Sequence, residues 1–365
     1  MKHILMIAND TTFVYHLRRE LLGSLVGSGC KVTLVCQELA FRPELEKIGV
    51  QLIPVETQRQ GPNIAADMGL ILRYGKILRR LRPDLVLTNN IKPNLYGGIC
   101  CSLLGIPYIP NITGLGTALE QPGWLQRLIT HLYRLGAGHA KAILFQNREN
   151  LSFFRSRKML PKGARVILLP GSGVNLQAFP PLPYPQETQR HFLFAARILK
   201  EKGIDLYLAA ARIIRTQYPD TRFHICGSCD DPSYLPVLKA AEAEGWVIWH
   251  GQQRDMLPFF RQACCLVHPS NYPEGMSNVL LEAAACARPV ITTQRSGCAE
   301  AVDAGKSGFL ISTQDADALV AVLEAFLAMP WEQCRAMGLA GRAKMEREFD
   351  RTEVVRRIIN EVNSI

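Results

Sequence analysis

The chain has 365 residues, more than one hydrophobic core usually organises, so two domains are expected. Hydrophobic residues at 48% and charged residues at 20% exclude wholesale disorder. The formal charge of +10 is lopsided: residues 1–185 hold 22 basic and 10 acidic side chains, net +12, and residues 186–365 hold 20 and 22. The first half is therefore expected to face something anionic.

The opening apolar stretch is too short for a signal-peptide core, and no small-residue cleavage site follows it. From there, continuous apolar runs predict strands at 3–8, 31–36, 50–55, 84–88, 107–112, 142–146 and 166–169. Amphipathic segments at 13–26, 68–82 and 124–135 predict helices between them, with Gly29, Gly49 and Gly105 where helices should end. Residues 93–119 carry no charge, but Gly97, Gly98, Pro107 and Pro110 interrupt the run, so no spanning helix is expected. This βα alternation implies a doubly wound parallel sheet.

Residues 179–189 (FPPLPYPQETQ) hold four prolines and read as an extended linker. The alternation restarts, with strands near 192–196, 222–227, 247–251, 266–269, 289–293 and 308–311. Helices are predicted near 204–217, 233–244, 276–286 and 316–328, and a charged helical end over 331–365 is punctuated near Phe349 and Asp350. The organisation expected is a domain over 1–178, a linker over 179–190, a second domain over 191–348, and a C-terminal helix over 349–365 that packs back on the first domain. Ligands of such sheets collect beyond the carboxyl ends of the strands, which makes a cleft between the domains the default site.

The eleven cysteines are odd in number and scattered in apolar runs, as at Cys30, Cys36, Cys100, Cys101, Cys264 and Cys265. They read as small core residues in a reducing cytoplasm. Cys226 and Cys229 form a single C-x-x-C without a second pair, which gives no metal or haem signature. No G-x-G-x-x-G follows the first strand, which continues as Asn9-Asp10-Thr11-Thr12, and no P-loop, G-x-S-x-G or H-E-x-x-H occurs.

The richest local chemistry lies over residues 269–285, where Glu274 and Glu282 stand eight positions apart. The apolar run 279–286 places a helix start near residues 275–277, with Glu274 in the loop before it and Glu282 about two turns in. Backbone N–H groups at a helix start suit an anion or the polar edge of a ligand. Gly275 would let a ligand approach the backbone. A carboxylate on the helix could accept two hydroxyl hydrogen bonds, as from a ribose diol. The same spacing also suits a capped amphipathic helix with solvated glutamates.

The Glu274-x7-Glu282 stretch behind Pro269-Ser270 closely resembles the E-x7-E motif of retaining GT-B glycosyltransferases of the GT4-like (group 1) family. Four further matches lie in family order: Pro170-Gly-Ser-Gly173-Val174-Asn175 with Phe179, Ala196-Arg197 to Lys202-Gly203, Gly297-Cys-Ala-Glu300, and Gly305-Lys-Ser-Gly308. The resemblance implies a GT-B fold, two Rossmann-like doubly wound domains with an interdomain cleft. It implies that Arg197 and Lys202 hold the donor diphosphate, where a guanidinium fork and a compact ammonium suit a departing nucleoside diphosphate. By the same resemblance Glu282 binds the ribose, while Glu274 with the backbone of Gly275, Met276, Ser277 and Asn278 grips the transferred sugar. No metal is expected, since Arg, Lys and helix N-termini would neutralise the phosphates and no D-x-D occurs. Retention of configuration is likewise implied only by the family.

In the first half, Phe13-Val-Tyr15-His16-Leu17-Arg18, Lys92-Pro93-Asn94 and Thr113-Gly114-Leu115-Gly116-Thr117 resemble bacterial transferases that extend sugars on polyprenyl-diphosphate carriers. Gly114 and Gly116 are then candidates for backbone contacts to donor or acceptor, although a tight turn without a ligand fits them as well. His16 is the candidate titratable group near the acceptor hydroxyl, with a packing role equally open on the residues alone. Arg18, Lys92 and Asn94 are candidates for the acceptor. Many GT4-like enzymes have a glycine-rich loop after the first strand, and this chain departs from them there.

Three segments, 68–82, 124–134 and 150–162, mix large apolar residues with Arg and Lys, a pattern that suits an anionic bilayer surface. No nucleic-acid recognition module is apparent. The expected protein transfers a hexose or N-acetylhexosamine from a nucleoside-diphosphate sugar, UDP by resemblance, to a polyprenyl-diphosphate-linked saccharide, peripherally at the cytoplasmic membrane face. A catalytically silent sugar-nucleotide-binding or scaffold subunit, or a sugar-nucleotide epimerase of the same architecture, is the alternative. Nothing in the sequence sets an oligomeric state.

Overall fold

The computed structural model describes residues 1–56, 64–116, 119, 122–185, 189–312 and 315–365. Residues 186–188 of the expected linker and Thr117 of the Thr113–Thr117 motif lie outside the described residues. The chain divides into two compact units, one of residues 1–172, 274–276 and 352–365, the other of residues 173–273 and 277–351.

The first unit is built on seven strands: β1 (His3–Asp10), β2 (Lys31–Gln37), β3 (Val50–Pro54), β4 (Leu85–Asn89), β5 (Tyr108–Ile112), β6 (Ala142–Phe145) and β7 (Arg165–Leu168). Their order is β3-β2-β1-β4-β5-β6-β7, and every pairing is parallel. The apolar runs of the sequence follow from burial on both faces. In β1, Leu5 and Ile7 enter one core with Tyr74, Tyr108 and Phe145, while Ile4 and Met6 enter another with Leu21, Leu25 and Leu34.

The helices of this unit are α1 (Thr11–Gly27), α2 (Arg42–Lys47), α3 (Ile64–Leu81), α4 (Gly98–Leu104), α5 (Trp124–Ala137) and α6 (Arg148–Ser156), with a π-helical turn over Pro93–Gly97. Asp10 caps α1 by accepting from the Phe13 N–H at 2.8 Å, and Asn147 caps α6 through the Asn150 N–H at 2.8 Å. Gly105 ends α4 in the left-handed conformation, φ 66°. The short α2 is absent from the sequence expectation because six residues carry too little periodicity.

The second unit has strands β8 (Arg190–Ala195), β9 (Thr221–Cys226), β10 (Ile248–Trp249), β11 (Cys265–His268), β12 (Val290–Thr293) and β13 (Gly308–Ile311), ordered β10-β9-β8-β11-β12-β13 and all parallel. Its helices are α7 (Ile204–Gln217), α8 (Tyr234–Ala243), α9 (Leu257–Gln262), α10 (Asn278–Ala285), α11 (Ala316–Ala328) and α12 (Trp331–Glu348). Helix α13 (Arg351–Asn363) places Val354, Val355, Ile358 and Val362 in the core of the first unit beside Leu21 and Leu22.

The proline-rich stretch is fastened to the second unit. The Leu182 N–H donates to the Cys286 carbonyl at 3.3 Å, and the fully buried Arg288 donates to the Pro183 and Phe260 carbonyls at 2.5 and 2.6 Å. All eleven cysteines are free thiols, nine of them buried. Among the described residues no helix is long and apolar enough to cross a membrane.

Candidate functional site

In the second unit the strand order reverses between β8 and β11, the place where open α/β sheets hold ligands. Arg197 and Lys202 follow β8, and residues 269–273 follow β11. The Lys202 ammonium stands 4.6 Å from the centre of the Tyr272 ring, and the Arg197 guanidinium 6.0 Å from it. Arg197 is exposed and pairs with Asp230 at 3.3 Å. Lys202 is only 9% exposed, and burial, with Arg197 adding to it, pushes its ammonium down to about 7.

Backbone geometry fixes this corner. A 3-10 turn (Lys200–Lys202) ends at Gly203, whose φ of 81° and close approach to the Pro269 carbonyl leave no room for a side chain. The Asn271 N–H donates to the Glu201 carbonyl at 2.8 Å, tying the two loops together. His268 is buried beneath them; burial first, then the Lys202 charge, lower it to about 3, so it is neutral, and its Nε2 lies 3.1 Å from the Ser277 hydroxyl.

Ser277 is the N-terminal flank of α10, and its N–H donates to the Gly297 carbonyl at 2.7 Å. Glu300 closes that loop, accepting from the Ser296 hydroxyl at 2.9 Å and the Gly297 N–H at 2.7 Å. Glu282 is half-buried on α10. Burial raises its carboxyl to about 7 against the opposing pull of Arg351. Arg351 is itself buried and donates to the Gly173 carbonyl at 3.0 Å.

In the first unit, residues 274–276 are held by polar groups at the carboxyl ends of β5 and β6. Glu274 pairs with Gly114 as an antiparallel bridge, and the Gly275 N–H donates to the Thr113 carbonyl at 3.0 Å. The Asn147 side chain donates to the Glu274 and Gly275 carbonyls, each at 2.9 Å. A Cβ on Gly275 would fall 2.5 Å from Gln146 Oε1 and 2.6 Å from the Thr113 carbonyl oxygen.

Two family models cover most of the chain. Residues 16–171 match a glycosyl transferase 4-like domain, and residues 183–344 match glycosyl transferases group 1. The chain belongs to the GT4-like, group 1 glycosyltransferases. It is 24% identical over 320 residues to the N,N'-diacetylbacillosaminyl-diphospho-undecaprenol alpha-1,3-N-acetylgalactosaminyltransferase of Campylobacter jejuni, covering 83% of each chain. It is 23% identical to a capsular polysaccharide biosynthesis glycosyltransferase of Staphylococcus aureus, over 84% of this chain and 83% of that one. Among solved structures, sucrose-phosphate synthase from Thermosynechococcus elongatus aligns with TM-score 0.81 at 18% identity, covering 100% of this chain and 99% of that one. Anabaena HepE in complex with UDP-glucose aligns over 100% of both at TM-score 0.82 and 15% identity. The two doubly wound sheets are those of the GT-B fold, as the sequence led one to expect.

Within this glycosyltransferase the residues singled out from sequence fall into distinct groups. Arg197 and Lys202 share the corner around Tyr272, Gly114, Glu274 and Gly275 are joined through backbone contacts, and Ser277 leads into Asn278 at the start of α10. Met276 is buried, packed so that a side chain on Gly171 would collide with it. His16 is exposed on α1, its ring edge-on to Tyr15 and Phe41 at 5.4 and 5.1 Å. Gly116 takes φ 71° after β5.

Three others are engaged within the fold. Arg18, 3% exposed, donates to Asn89 at 3.0 Å and to the Ser172 hydroxyl at 2.9 Å. Asn94 is buried, accepting from Thr88 at 2.7 Å and donating to the Asn111 carbonyl at 2.8 Å. Lys92 pairs with Asp67 at 2.8 Å. Two details of the sequence reading change. Glu282 lies one turn into α10, because the helix begins only at Asn278, and the space beside Gly275 admits protein atoms.

Sequence reasoning missed Tyr272, His268, Asp230 and Asn147. Tyr272 and Asn147 lie in the loops that follow β11 and β6, a position beyond strand ends that could have flagged them. His268 reads as part of the strand and gave no signal. Among the described residues, no three His, Cys, Asp or Glu side chains gather in a way that could hold a metal ion.

Proposed function

We propose that this glycosyltransferase moves a hexose or N-acetylhexosamine from a UDP-linked donor to a polyprenyl-diphosphate-linked saccharide, with retention, for surface polysaccharide or glycan synthesis. The observation that carries the reading is the likeness, over 83% of both chains, to the Campylobacter transferase whose named substrate is a diphospho-undecaprenol-linked sugar. The UDP and UDP-glucose complexes of the HepE neighbour support the choice of nucleotide.

The second-unit corner suits a departing diphosphate. Burial holds the Lys202 ammonium down to about 7, and an anionic diphosphate beside it would favour the charged form. Arg197 would exchange its exposed pairing with Asp230 for a bidentate hold on phosphate. In this reading the two cations neutralise the leaving group without a metal. Glu282 would accept from the ribose diol, and Glu274 with the backbone of residues 275–278 would hold the sugar. His16 would serve the acceptor hydroxyl, and the reaction would run at the cytoplasmic face of the membrane that carries the acceptor.

A Glu274→Gln variant tests the reading against a silent sugar-nucleotide-binding subunit. The transferase should lose most turnover while melting as the wild type does and still binding UDP. Unchanged transfer by the variant would remove Glu274 from the reaction.

A further inference from the structure

Helices α3 and α4 of the first unit enclose a groove of about 590 Å3 whose lining contains none of the residues assigned above. Ile71, Gly75, Cys100 and Leu104 line it, with Leu72 and Leu103 at its lips, 68% and 80% exposed. Lys76, Arg79 and Arg80 complete the lining. No carboxylate among the described residues forms an ion pair with these three cations.

Gly75 is informative. Glycine weakens a helix interior, yet a Cβ at this position would meet only Cys100 Sγ, at 3.8 Å, an ordinary contact. Sterics therefore do not demand glycine. A larger side chain would fill the groove, and the glycine keeps it open. Exposed leucines of this size beside an open apolar floor mark an interaction surface, and the cations at its edge select an anionic partner.

We propose that this groove seats one acyl chain of an anionic phospholipid at a bilayer surface, with the lipid phosphate on Lys76, Arg79 and Arg80. The lipid is favoured over a protein partner because the site pairs an apolar slot with a one-sign rim. The inference deepens the membrane part of the proposed function and rests on it.

The test is co-sedimentation of the purified full chain with vesicles of pure phosphatidylglycerol or pure phosphatidylcholine, without donor or acceptor. Wild type should bind the phosphatidylglycerol vesicles preferentially. Replacing Lys76, Arg79 and Arg80 by Gln should weaken that binding by about a hundredfold. Gly75→Phe, which fills the slot and keeps the charges, should weaken it by about tenfold. If Gly75→Phe does not fold, Leu72→Ser with Leu103→Ser carries the test, since both side chains are exposed. Wild-type binding by the slot variants shows that no chain enters the groove, and equal binding to both vesicle types overturns the role of the cations. Transfer to a water-soluble acceptor should be unchanged in all variants, so a failure here leaves the transfer reading standing, and loss of transfer in wild type leaves the groove untouched.

Discussion

Lys202 and Tyr272 meet at the carboxyl ends of two adjacent strands, the ammonium 4.6 Å from the ring centre. Burial opposes the charge and the ring face favours it, so this lysine is poised between its two protonation states near neutral pH. Lys202→Met should reduce the rate of transfer by about a hundredfold to a thousandfold at saturating donor. Because the variant also removes a buried cation, its melting temperature should equal or exceed that of the wild type. A variant with near-normal rate would place the diphosphate elsewhere.

Tyr272→Ala removes the ring that supports the charge. The alkaline limb of the pH–rate profile should then move to lower pH, since the ammonium loses a proton more readily. An unmoved limb would show that the ring does not govern this titration.

The proposed neutralisation by Arg197 and Lys202 leaves no step for a divalent ion. Transfer measured in excess chelator should stay within about twofold of the untreated rate, against the loss of several orders expected of a metal-dependent reaction.

The burial of Glu282 on α10 makes its charge a cost to stability. Its carboxyl is raised from 4.5 to about 7 in the folded chain, so its contribution is intact below the unfolded value and is lost as pH rises through the folded one. Glu282→Gln should therefore stabilise the protein by about 1–3 kcal/mol at mildly alkaline pH and leave it unchanged in acid, while weakening donor binding. Urea unfolding at the two pH values measures this.

The ladder of His191, His224 and His250 has the opposite sign. Successive ring nitrogens lie 2.9 Å apart, and burial, followed by His191, His250 and Arg222, pushes His224 down from 6.5 to about 4. The unfolded chain binds more protons in that interval, so stability falls as pH drops from 6.5 towards 4. His224→Gln should flatten the acid side of the stability profile, and an unchanged slope would assign the acid sensitivity to other groups.

The parallel sheets were legible because each strand is buried on both faces, so apolar runs stand out against polar loops. Arg197, Lys202 and Glu274 stood out as candidates because they are polar residues that follow apolar strand runs. Arg18 and Asn94 show what spacing leaves open. Both occupy motif positions in the sequence, yet their polar groups serve Asn89, Ser172, Thr88 and Asn111 inside the fold. Spacing does not reveal which way such a side chain turns. His268 was hidden for the converse reason, since a neutral buried histidine looks like one more strand residue.

The proposed transfer is tested by the mass of the product formed when purified protein meets a panel of UDP-sugars and a polyprenyl-diphosphate-linked saccharide. It predicts that with one donor the lipid-linked glycan gains a single hexosyl or N-acetylhexosaminyl residue as UDP is released. Binding of UDP-sugars with no mass gain from any donor would contradict it and favour a silent nucleotide-sugar-binding subunit.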